Sequence, residues 1–384
     1  MTGSTTGISG TSFRLMLGAT AFCFSGYALL LPVVPLWVAR GGSGAFGAGA
    51  TTAVLMATTV ATQLTVPWLL ARLGHRWVLG LGSALLGLPA PLLALSPDLG
   101  PVLALSAVRG VGFGLATVAG SALVAELVPR AQHGRAAGRY GLAVGLPQLV
   151  LLAAGVAMVD WIGFTAVFVA AGVGPVVGAL LVPAIRMGHS PVDEPAAVHT
   201  GSLARAAPAP LVAMLTCSVA QGGVITFLPL AAPDAGLIVA VALLATSGGA
   251  LVGRLVAGEL VDRRGLGGRL LAPGMLLTAA GLVAEVVALG AGGGPLVVLG
   301  AAMVGVGFGV VQNDALTVLF AAFGRNRYGA ASAAWNIAYD AGTGVGALGL
   351  GAVADPFGYP AAFGAAAGLL GVSVVAVRSR GTVR

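Results

Sequence analysis

Four charged side chains lie inside long apolar runs of the sequence and are the first candidates for chemistry. They are Arg109, Glu285, Asp314 and Asp340. A charge at the centre of a membrane span costs about 2.5–3.5 kcal/mol on insertion scales, so such residues are functional by default. A carboxyl group in a dry site could bind a proton from one side and release it to the other. Asp340 or Asp314 is therefore predicted to carry a proton, with Arg109 as its charge partner, whereas Glu285 is interpreted as structural or close to the outer interface.

Amide side chains accompany the two aspartates. Asn336 precedes Asp340 by four residues, which puts both side chains on one face of a helix. Gln312 and Asn313 directly precede Asp314 and give that run a polar patch. The alternative interpretation of both aspartates is a fixed structural ion pair or a hydrogen bond between helices.

The composition around these charges is that of an integral membrane protein. Of 384 residues, 58% are hydrophobic and 8% are charged, whereas soluble domains carry about 25% charged residues. Apolar runs of about 20 residues match the length needed to cross about 30 Å of hydrocarbon. Twelve such spans are predicted, at 13–38, 47–70, 77–96, 102–124, 137–158, 163–185, 208–231, 236–257, 270–291, 295–322, 329–353 and 358–377.

The distribution of arginine predicts the orientation of these spans. With the N-terminus inside, sixteen arginines fall on cytoplasmic segments, and the outer loops hold only Arg40. Because cytoplasmic loops of membrane proteins are enriched in basic residues, both termini are predicted to be cytoplasmic, in a multi-pass protein of the cell membrane. The net charge of +7 is explained by this topology. It is therefore not interpreted as a sign of nucleic-acid binding, and no nucleic-acid partner is predicted.

The chain contains an internal repeat. Three pairs of segments match, 108–114 with 303–309, 31–32 with 228–229, and 67–76 with 258–267, at offsets of 195, 197 and 191. Three matches at nearly one offset indicate duplication. The predicted organisation is a cytoplasmic tail (1–12), an N-terminal six-helix bundle (13–185), a cytoplasmic linker (186–207), a C-terminal six-helix bundle (208–377) and a cytoplasmic tail (378–384).

A charged turn between two apolar runs could control a conformational change. This loop motif, Gly258–Gly265, contains Asp262 and Arg263. A carboxylate at this position can approach the positive N-terminus of a neighbouring helix, which is worth about 0.3–1 kcal/mol. It could instead pair with Arg263 or with Arg254, one turn earlier. A contact made in one state only would bias a two-state equilibrium, and the alternative is a plain turn that marks the cytoplasmic side.

These residues resemble the major facilitator superfamily, in particular its twelve-span drug and metabolite exporters. The loop motif meets the pattern Gly-x-Leu-x-Asp-Arg-x-Gly in full, and the fourth span carries the Arg109-Gly110 pair. The resemblance covers the chain from about 13 to 378 and implies an all-α membrane protein with twelve transmembrane helices in two pseudo-symmetric six-helix bundles. The gating residues that it implies are Arg254, Gly258, Asp262, Arg263 and Gly265, with Arg72, Gly74 and Arg76 in the first-half copy.

The sequence departs from this family in two places. The first-half copy of the loop motif has Pro67, Ala71 and His75 where Gly, Asp and a basic residue are expected. The fifth span has Gly145-Leu146-Pro147-Gln148, without the paired glycines that follow Gly-Pro in typical antiporters. The second departure bears on antiport and not on the fold.

The predicted substrate site mixes aromatic faces with amide groups. Such a site suits a bulky, partly apolar organic molecule, and the few fixed charges argue against a dedicated phosphate or dicarboxylate site. The alternative for each aromatic side chain is helix packing. The candidate residues are Tyr27, Phe113, Gln148, Gln221, Phe227, Gln312, Asn313, Trp335 and Asn336.

No metal site, cofactor or disulfide framework is predicted. Cys23 and Cys217 both lie in apolar runs and are expected to be free, buried thiols. The four histidines, His75 among them, fall on the cytoplasmic side and are interpreted as solvated loop residues. No nucleophile elbow or metal-ligand spacing supports an enzyme.

Together these features predict a secondary active transporter that works by alternating access. Because no ATP-binding motif occurs, an ion gradient is expected to drive it. The leading hypothesis is proton-coupled efflux of a small organic compound, such as a drug or secondary metabolite. The alternative is uptake of a small neutral or weakly polar solute by solute–proton symport, and sodium in place of protons stays open. The protein is expected to be a monomer in the lipid bilayer.

Overall fold

The structure is a computed structural model of the full chain, and it describes residues 7–129, 132–187, 208–232, 235–291, 294–323 and 328–381. Most of the predicted linker lies outside these ranges, as do parts of both predicted tails. Five of the arginines counted in the topology argument also lie outside them, namely Arg130, Arg205, Arg325, Arg327 and Arg384.

The described chain is helical. In the first half the helices are α1 (Thr11–Leu30), α2 (Val33–Val38), α3 (Gly44–Leu73), α4 (His75–Gly87), α5 (Leu99–Leu127) and α6 (His133–Leu181). In the second half they are α7 (Pro208–Ala231), α8 (Gly236–Arg264), α9 (Leu271–Gly290), α10 (Pro295–Phe323), α11 (Tyr328–Phe357) and α12 (Tyr359–Gly381). A π-helical turn lies at Ala39–Ser43, and 3-10 turns lie at Ala90–Leu95 and Val182–Ala184.

Ten stretches of the described residues are long and apolar enough to cross a membrane. Two of them, Thr11–Val66 and Gly138–Ala184, contain 56 and 47 residues. Each is interrupted by a glycine with a positive φ, 94° at Gly42 and 78° at Gly163. Since one span needs about 20 residues, each of these stretches has the length of two spans. The all-helical membrane architecture is confirmed, and the count of twelve spans stays a prediction.

The sequence explains where several helices begin and end. Pro208 and Pro295 are the first residues of α7 and α10, a position where the missing N–H costs no helical hydrogen bond. Gly265 ends α8 in the left-handed conformation, and its N–H donates to the Val261 carbonyl oxygen at 3.0 Å, as expected for a glycine cap. Large apolar side chains face outward, for example Leu237 at 80% exposure, which fits helices surrounded by lipid.

The described helices form two packing units. The first comprises Met1–Val33 and Ala57–Pro195, and the second comprises Val34–Met56 and Ala196–Arg384. Helix α2 and the first part of α3 therefore pack with the second unit. This division differs from the predicted bundles, whose boundaries stay a prediction.

Glycines bring the helices of the first unit close together. A Cβ on Gly26 of α1 would lie 2.3 Å from the Ala171 carbonyl oxygen of α6, and one on Gly155 of α6 would lie 2.4 Å from the Leu29 carbonyl oxygen of α1. Small residues at such contacts let membrane helices pack closely. The α1–α6 pair is therefore held by backbone contact, and α4 packs on α5 in the same unit.

The second unit is built in the same way around α10. A Cβ on Gly305 or Gly309 would lie 2.0 Å from the carbonyl oxygens of Thr246 or Ala250 on α8. The opposite face of α10 meets α9, and α7 packs on α11. The first part of α3 joins this unit through the Ala45 N–H, which donates to Asp355 Oδ1 of α11 at 2.6 Å.

Candidate functional site

A polar network in the second unit joins residues that the sequence assigned to two different roles. Arg254 of α8 donates through Nη2 to Gln312 Oε1 of α10. Trp335 of α11 donates its indole N–H to the Gln312 carbonyl oxygen at 3.1 Å. Gln312 is 4% exposed. The predicted gating residue Arg254 therefore contacts the predicted binding residue Gln312, which in turn contacts Trp335.

Asn313 ties the same two helices together next to this network. Its Nδ2 donates to the Arg254 carbonyl oxygen at 3.0 Å. The same Nδ2 atom lies 3.1 Å from where a Cβ on Gly258 would be. The first glycine of the loop motif thus leaves room for the Asn313 amide, a contact that a larger residue would crowd.

Aromatic side chains extend the network along α11. The ring centroids of Trp335 and Tyr339 are 6.2 Å apart, with an angle of 28° between the ring planes. Tyr339 also meets Phe308 of α10, at 5.7 Å between centroids. Rings at these separations contribute favourable contacts beyond buried area. The α10–α11 side of the second unit therefore combines amides, a guanidinium and aromatic faces.

Asp340 and Asn336 lie on α11 as predicted, one turn apart. Asp340 is 3% exposed, so its carboxyl group is removed from water. Asn336 is half-buried, and its Nδ2 donates to the Ser332 carbonyl oxygen at 2.8 Å. Asp340 lies in the same unit as the Arg254–Gln312–Trp335 network.

Asp314, the other predicted proton carrier, holds the loop between α8 and α9. Its Oδ1 accepts the Gly268 N–H at 2.6 Å, and its Oδ2 accepts the Leu270 N–H at 2.9 Å. Both donors precede the first turn of α9, whose N–H groups lack helical partners. The carboxylate therefore fixes the segment that directly follows the loop motif, a role the sequence did not predict.

Two predicted binding residues on α7 are enclosed by the second unit. Gln221 is 6% exposed, and its Oε1 has no hydrogen-bond partner among the described residues. Phe227 is fully buried and packs near Tyr359 of α12, at 6.1 Å between ring centroids. Phe227 therefore packs against a neighbouring helix in this unit, and its contact with a substrate stays a prediction.

The first unit contains the buried arginine and an aromatic cluster. Arg109 of α5 is 2% exposed and donates through Nε to the Leu86 carbonyl oxygen at 3.3 Å. Tyr27 of α1 stacks on Phe113 of α5, with centroids 3.9 Å apart and an interplanar angle of 7°, and Phe24 meets the edge of this pair. Arg109 lies in the first unit and the two aspartates lie in the second, so their pairing stays a prediction.

Gln148, the remaining predicted binding residue, makes a local contact. It is half-buried on α6, and its Nε2 donates to the Val144 carbonyl oxygen of the preceding turn at 3.3 Å. This contact does not connect it to the other candidate residues.

The charged residues of the loop motif make contacts other than the ion pairs that the sequence suggested. Arg263 pairs with Glu259, one turn earlier on α8, and both side chains are exposed. Asp262 is exposed, and Arg254 is engaged by Gln312. A solvated pair such as Arg263–Glu259 is worth about 0–1 kcal/mol. The conformational role of Asp262 stays a prediction.

The first-half copy of the motif also makes specific contacts. The Arg72 guanidinium lies over the Trp68 ring at 4.2 Å, and Arg76 donates to the Ile185 carbonyl oxygen at 2.9 Å. His75 was interpreted as solvated, and this was wrong. Its Nδ1 pairs with Glu126 of α5, and the side chains are 15% and 18% exposed. No local pattern signals this pair, because the two residues are far apart in the chain.

Most of the chain matches the sequence pattern of one known protein family. The profile of the Major Facilitator Superfamily matches residues 16–347, most of the chain. The protein belongs to the Major Facilitator Superfamily. It is an integral membrane transporter rather than an enzyme. No curated relative matches the chain.

Solved structures of this superfamily's fold superpose on nearly the whole chain. A bacterial homologue of the human lysosomal transporter Spinster, in an inward-facing and occupied conformation, has a TM-score of 0.78 and 13% identity over 97% of this chain and 96% of its own. A peptide transporter, POT, has a TM-score of 0.78 and 16% identity over 96% and 94%. The nucleoside transporter NupG has a TM-score of 0.69 and 12% identity over 95% and 99%. Identities this low show the shared fold alone.

Two acidic residues of this superfamily member make contacts that the sequence did not predict. Glu126 pairs with His75, and Asp355 accepts the Ala45 N–H. Glu285, interpreted from the sequence as structural or close to the outer interface, is fully buried on α9. The free, buried state of Cys23 and Cys217 was predicted and is confirmed.

Proposed function

We propose that the protein is a proton-coupled secondary transporter that exports a small, partly apolar organic compound from the cell by alternating access. We place it in the cell membrane as a monomer with both termini cytoplasmic. The observation that carries this proposal is the contact of Arg254 with Gln312, and of Gln312 with Trp335. A substrate bound at Gln312 and Trp335 would act directly on the helix that leads into the loop motif.

The chemistry of the candidate site supports an organic substrate with few charges. In the second unit, Gln312, Asn313 and Asn336 offer amide groups, and Trp335 and Tyr339 offer aromatic faces. Predominantly apolar sites with a few polar anchors bind such molecules.

Asp340 is the carboxyl group that we propose carries the coupling proton. It is 3% exposed and lies one turn from Asn336. Asp314 is less suited to this role, because protonation would weaken its bonds to the Gly268 and Leu270 N–H groups and release the loop. A buried carboxyl in a membrane span costs free energy that a transport function would explain.

A compound-resistance screen tests the proposal even though the substrate is unidentified. Cells that express the protein are expected to tolerate at least one toxic organic compound better than control cells, and a protonophore should remove this advantage. Asp340→Asn should abolish the resistance. Asp98→Asn is the matched control, because Asp98 is exposed at the start of α5 and makes no capping bond.

The direction of transport is tested separately in membrane vesicles. Addition of a compound found in the screen should drive protons in the direction opposite to the compound. Proton flux in the same direction as the compound would establish symport and overturn export. Transport that persists with a protonophore but requires sodium would overturn proton coupling.

A further inference from the structure

Glu285 of α9 is a buried carboxyl group that the transport scheme above does not use. Its relative exposure is 0%, and neither Oε1 nor Oε2 has a hydrogen-bond partner among the described residues. Its Cγ lies 3.1 Å from where a Cβ on Gly300 of α10 would be. The carboxyl group is therefore enclosed in a tight interface between two membrane helices.

No charge described on the neighbouring helices compensates Glu285. Helix α9 packs against α10, α12 and α7. The titratable or charged residues described on these four helices, besides Glu285, are Cys217, Asp314, Tyr359 and Arg378. Asp314 is engaged by the loop at the opposite end of α9, and Cys217 lies next to Thr278, two turns from Glu285. Because none of these residues forms an ion pair with Glu285, an ionised carboxylate here would be isolated from any counter-charge.

The geometry points to a proton as the ligand of this site. An ionised carboxylate buried without partners is strongly disfavoured, and such a group is neutralised instead. A metal ion needs several oxygen ligands, and a water molecule needs two to four polar partners. Glu285 has no such partners among the described residues, and the flanking Gly281, Leu282 and Gly300 are all buried. A proton needs no additional ligand and no additional space.

We propose that Glu285 is a proton-binding site in the second unit, occupied at neutral pH and able to exchange its proton with water. Glu285 lies five residues from the end of α9, and Gly300 lies five residues from the start of α10. At 1.5 Å per residue, the carboxyl is about 7 Å from these helix ends. Opening of the last turn of α9 and the first turn of α10 would expose the Glu285 carboxyl group to water. This inference extends the proposed proton coupling by naming a second carboxyl.

Infrared spectroscopy of the full-length protein in lipid nanodiscs tests this proposal without a substrate. The chain has four glutamates, Glu126, Glu194, Glu259 and Glu285, so labelling with ¹³C-glutamate separates their signals from those of the aspartates. We expect a carboxylic-acid C=O band at neutral pH that shifts with the label, corresponds to about one group per protein, and shifts again after transfer to D₂O.

Variants assign the band to Glu285. Glu285→Gln should remove the labelled acid band, and Glu259→Gln, which alters an exposed glutamate paired with Arg263, should leave it. If Glu285→Gln does not fold, Glu285→Asp should move the acid signal from the glutamate label to an aspartate label. Absence of a labelled acid band, or a band that does not shift in D₂O, would overturn the proposal. Either result would leave the export hypothesis standing, because no transport is measured.

Discussion

The Arg254 side chain donates to the amide oxygen of Gln312, and the neighbouring Asn313 donates back to the Arg254 carbonyl oxygen at 3.0 Å. Helices α8 and α10 are therefore joined by two polar bonds at one level, in addition to the close approach at their glycines. A conformational change that moves α8 must either carry α10 with it or break both bonds.

The Arg254–Gln312 bond is expected to stabilise the second unit measurably. Hydrogen bonds to charged groups contribute about 1.5–3 kcal/mol, so Gln312→Ala should lower the free energy of unfolding by about that amount. A double-mutant cycle with Arg254→Ala should give a coupling energy of about 0.5–3 kcal/mol, measured by detergent-induced unfolding. Gln148→Ala is the control, because that amide bonds only within its own helix. Strict additivity of the two single variants would contradict the bond.

Asp314→Asn is expected to loosen the loop before α9. The asparagine amide would place an N–H group against one of the two backbone donors, which leaves that donor unsatisfied at a cost of about 1–3 kcal/mol. The Gly268 and Leu270 amides should then exchange faster in hydrogen-exchange mass spectrometry. Glu259→Gln, which alters an exposed carboxylate of α8 that pairs with Arg263, should leave this exchange unchanged. Equal protection in wild type and Asp314→Asn would show that the carboxylate does not hold the loop.

Asp262→Asn is expected to raise the inward-open population. If Asp262 contacts a helix N-terminus in the outward-facing state only, loss of about 0.3–1 kcal/mol shifts the equilibrium roughly two- to fivefold. The measurement is the labelling rate of a reporter cysteine, Ser332→Cys, from the cytoplasmic side. The native Cys23 and Cys217 are buried and add little background. Asp262→Glu keeps the charge and should behave as wild type, and an unchanged rate in Asp262→Asn would reject the conformational role.

Gly281→Ala is expected to destabilise the α9–α10 interface. A Cβ at this position would lie 2.7 Å from the Gly300 carbonyl oxygen, and overpacking of this kind costs about 1–3 kcal/mol. Thermal unfolding in nanodiscs measures the effect. Gly290→Ala is the matched control on the same helix, because a Cβ there meets nothing within 4 Å. The interface would have to be looser than described if both variants had the same unfolding midpoint.

Hydrophobic runs and turn residues predicted much of the helical architecture. The predicted span 208–231 coincides with α7, Pro208–Ala231, because a membrane span is determined by its own composition and length. The predicted spans 137–158 and 163–185 correspond to one helix interrupted at Gly163. Local sequence identified the apolar segments, but it could not tell a loop between two helices from a single non-helical residue.

The candidate site was predicted less completely, because its contacts join distant parts of the chain. The sequence predicted Gln312 as a binding residue and Arg254 as a gating residue, but their contact depends on how α8 crosses α10. Asp314 was selected as an intramembrane carboxyl, but its bonds to Gly268 and Leu270 depend on the path of the following loop. The complete enclosure of Glu285 depends on the glycines of the facing helix. In each case the residue type signalled importance, and only the packing specified the partner.

The lengths of the helices in the second unit set their relation to lipid headgroups. Helices α8 and α10 contain 29 residues each, which corresponds to about 44 Å, whereas the hydrocarbon layer is about 30 Å thick. For a helix perpendicular to the membrane and centred in it, about 7 Å of each end would extend into the headgroup layer. Arg263 and Arg264 end α8, and both are exposed, so an upright, centred α8 would place them at the depth of lipid phosphates. Anionic phospholipids would stabilise these arginines by about 1 kcal/mol each, and a detergent that strips such lipids would remove that stabilisation.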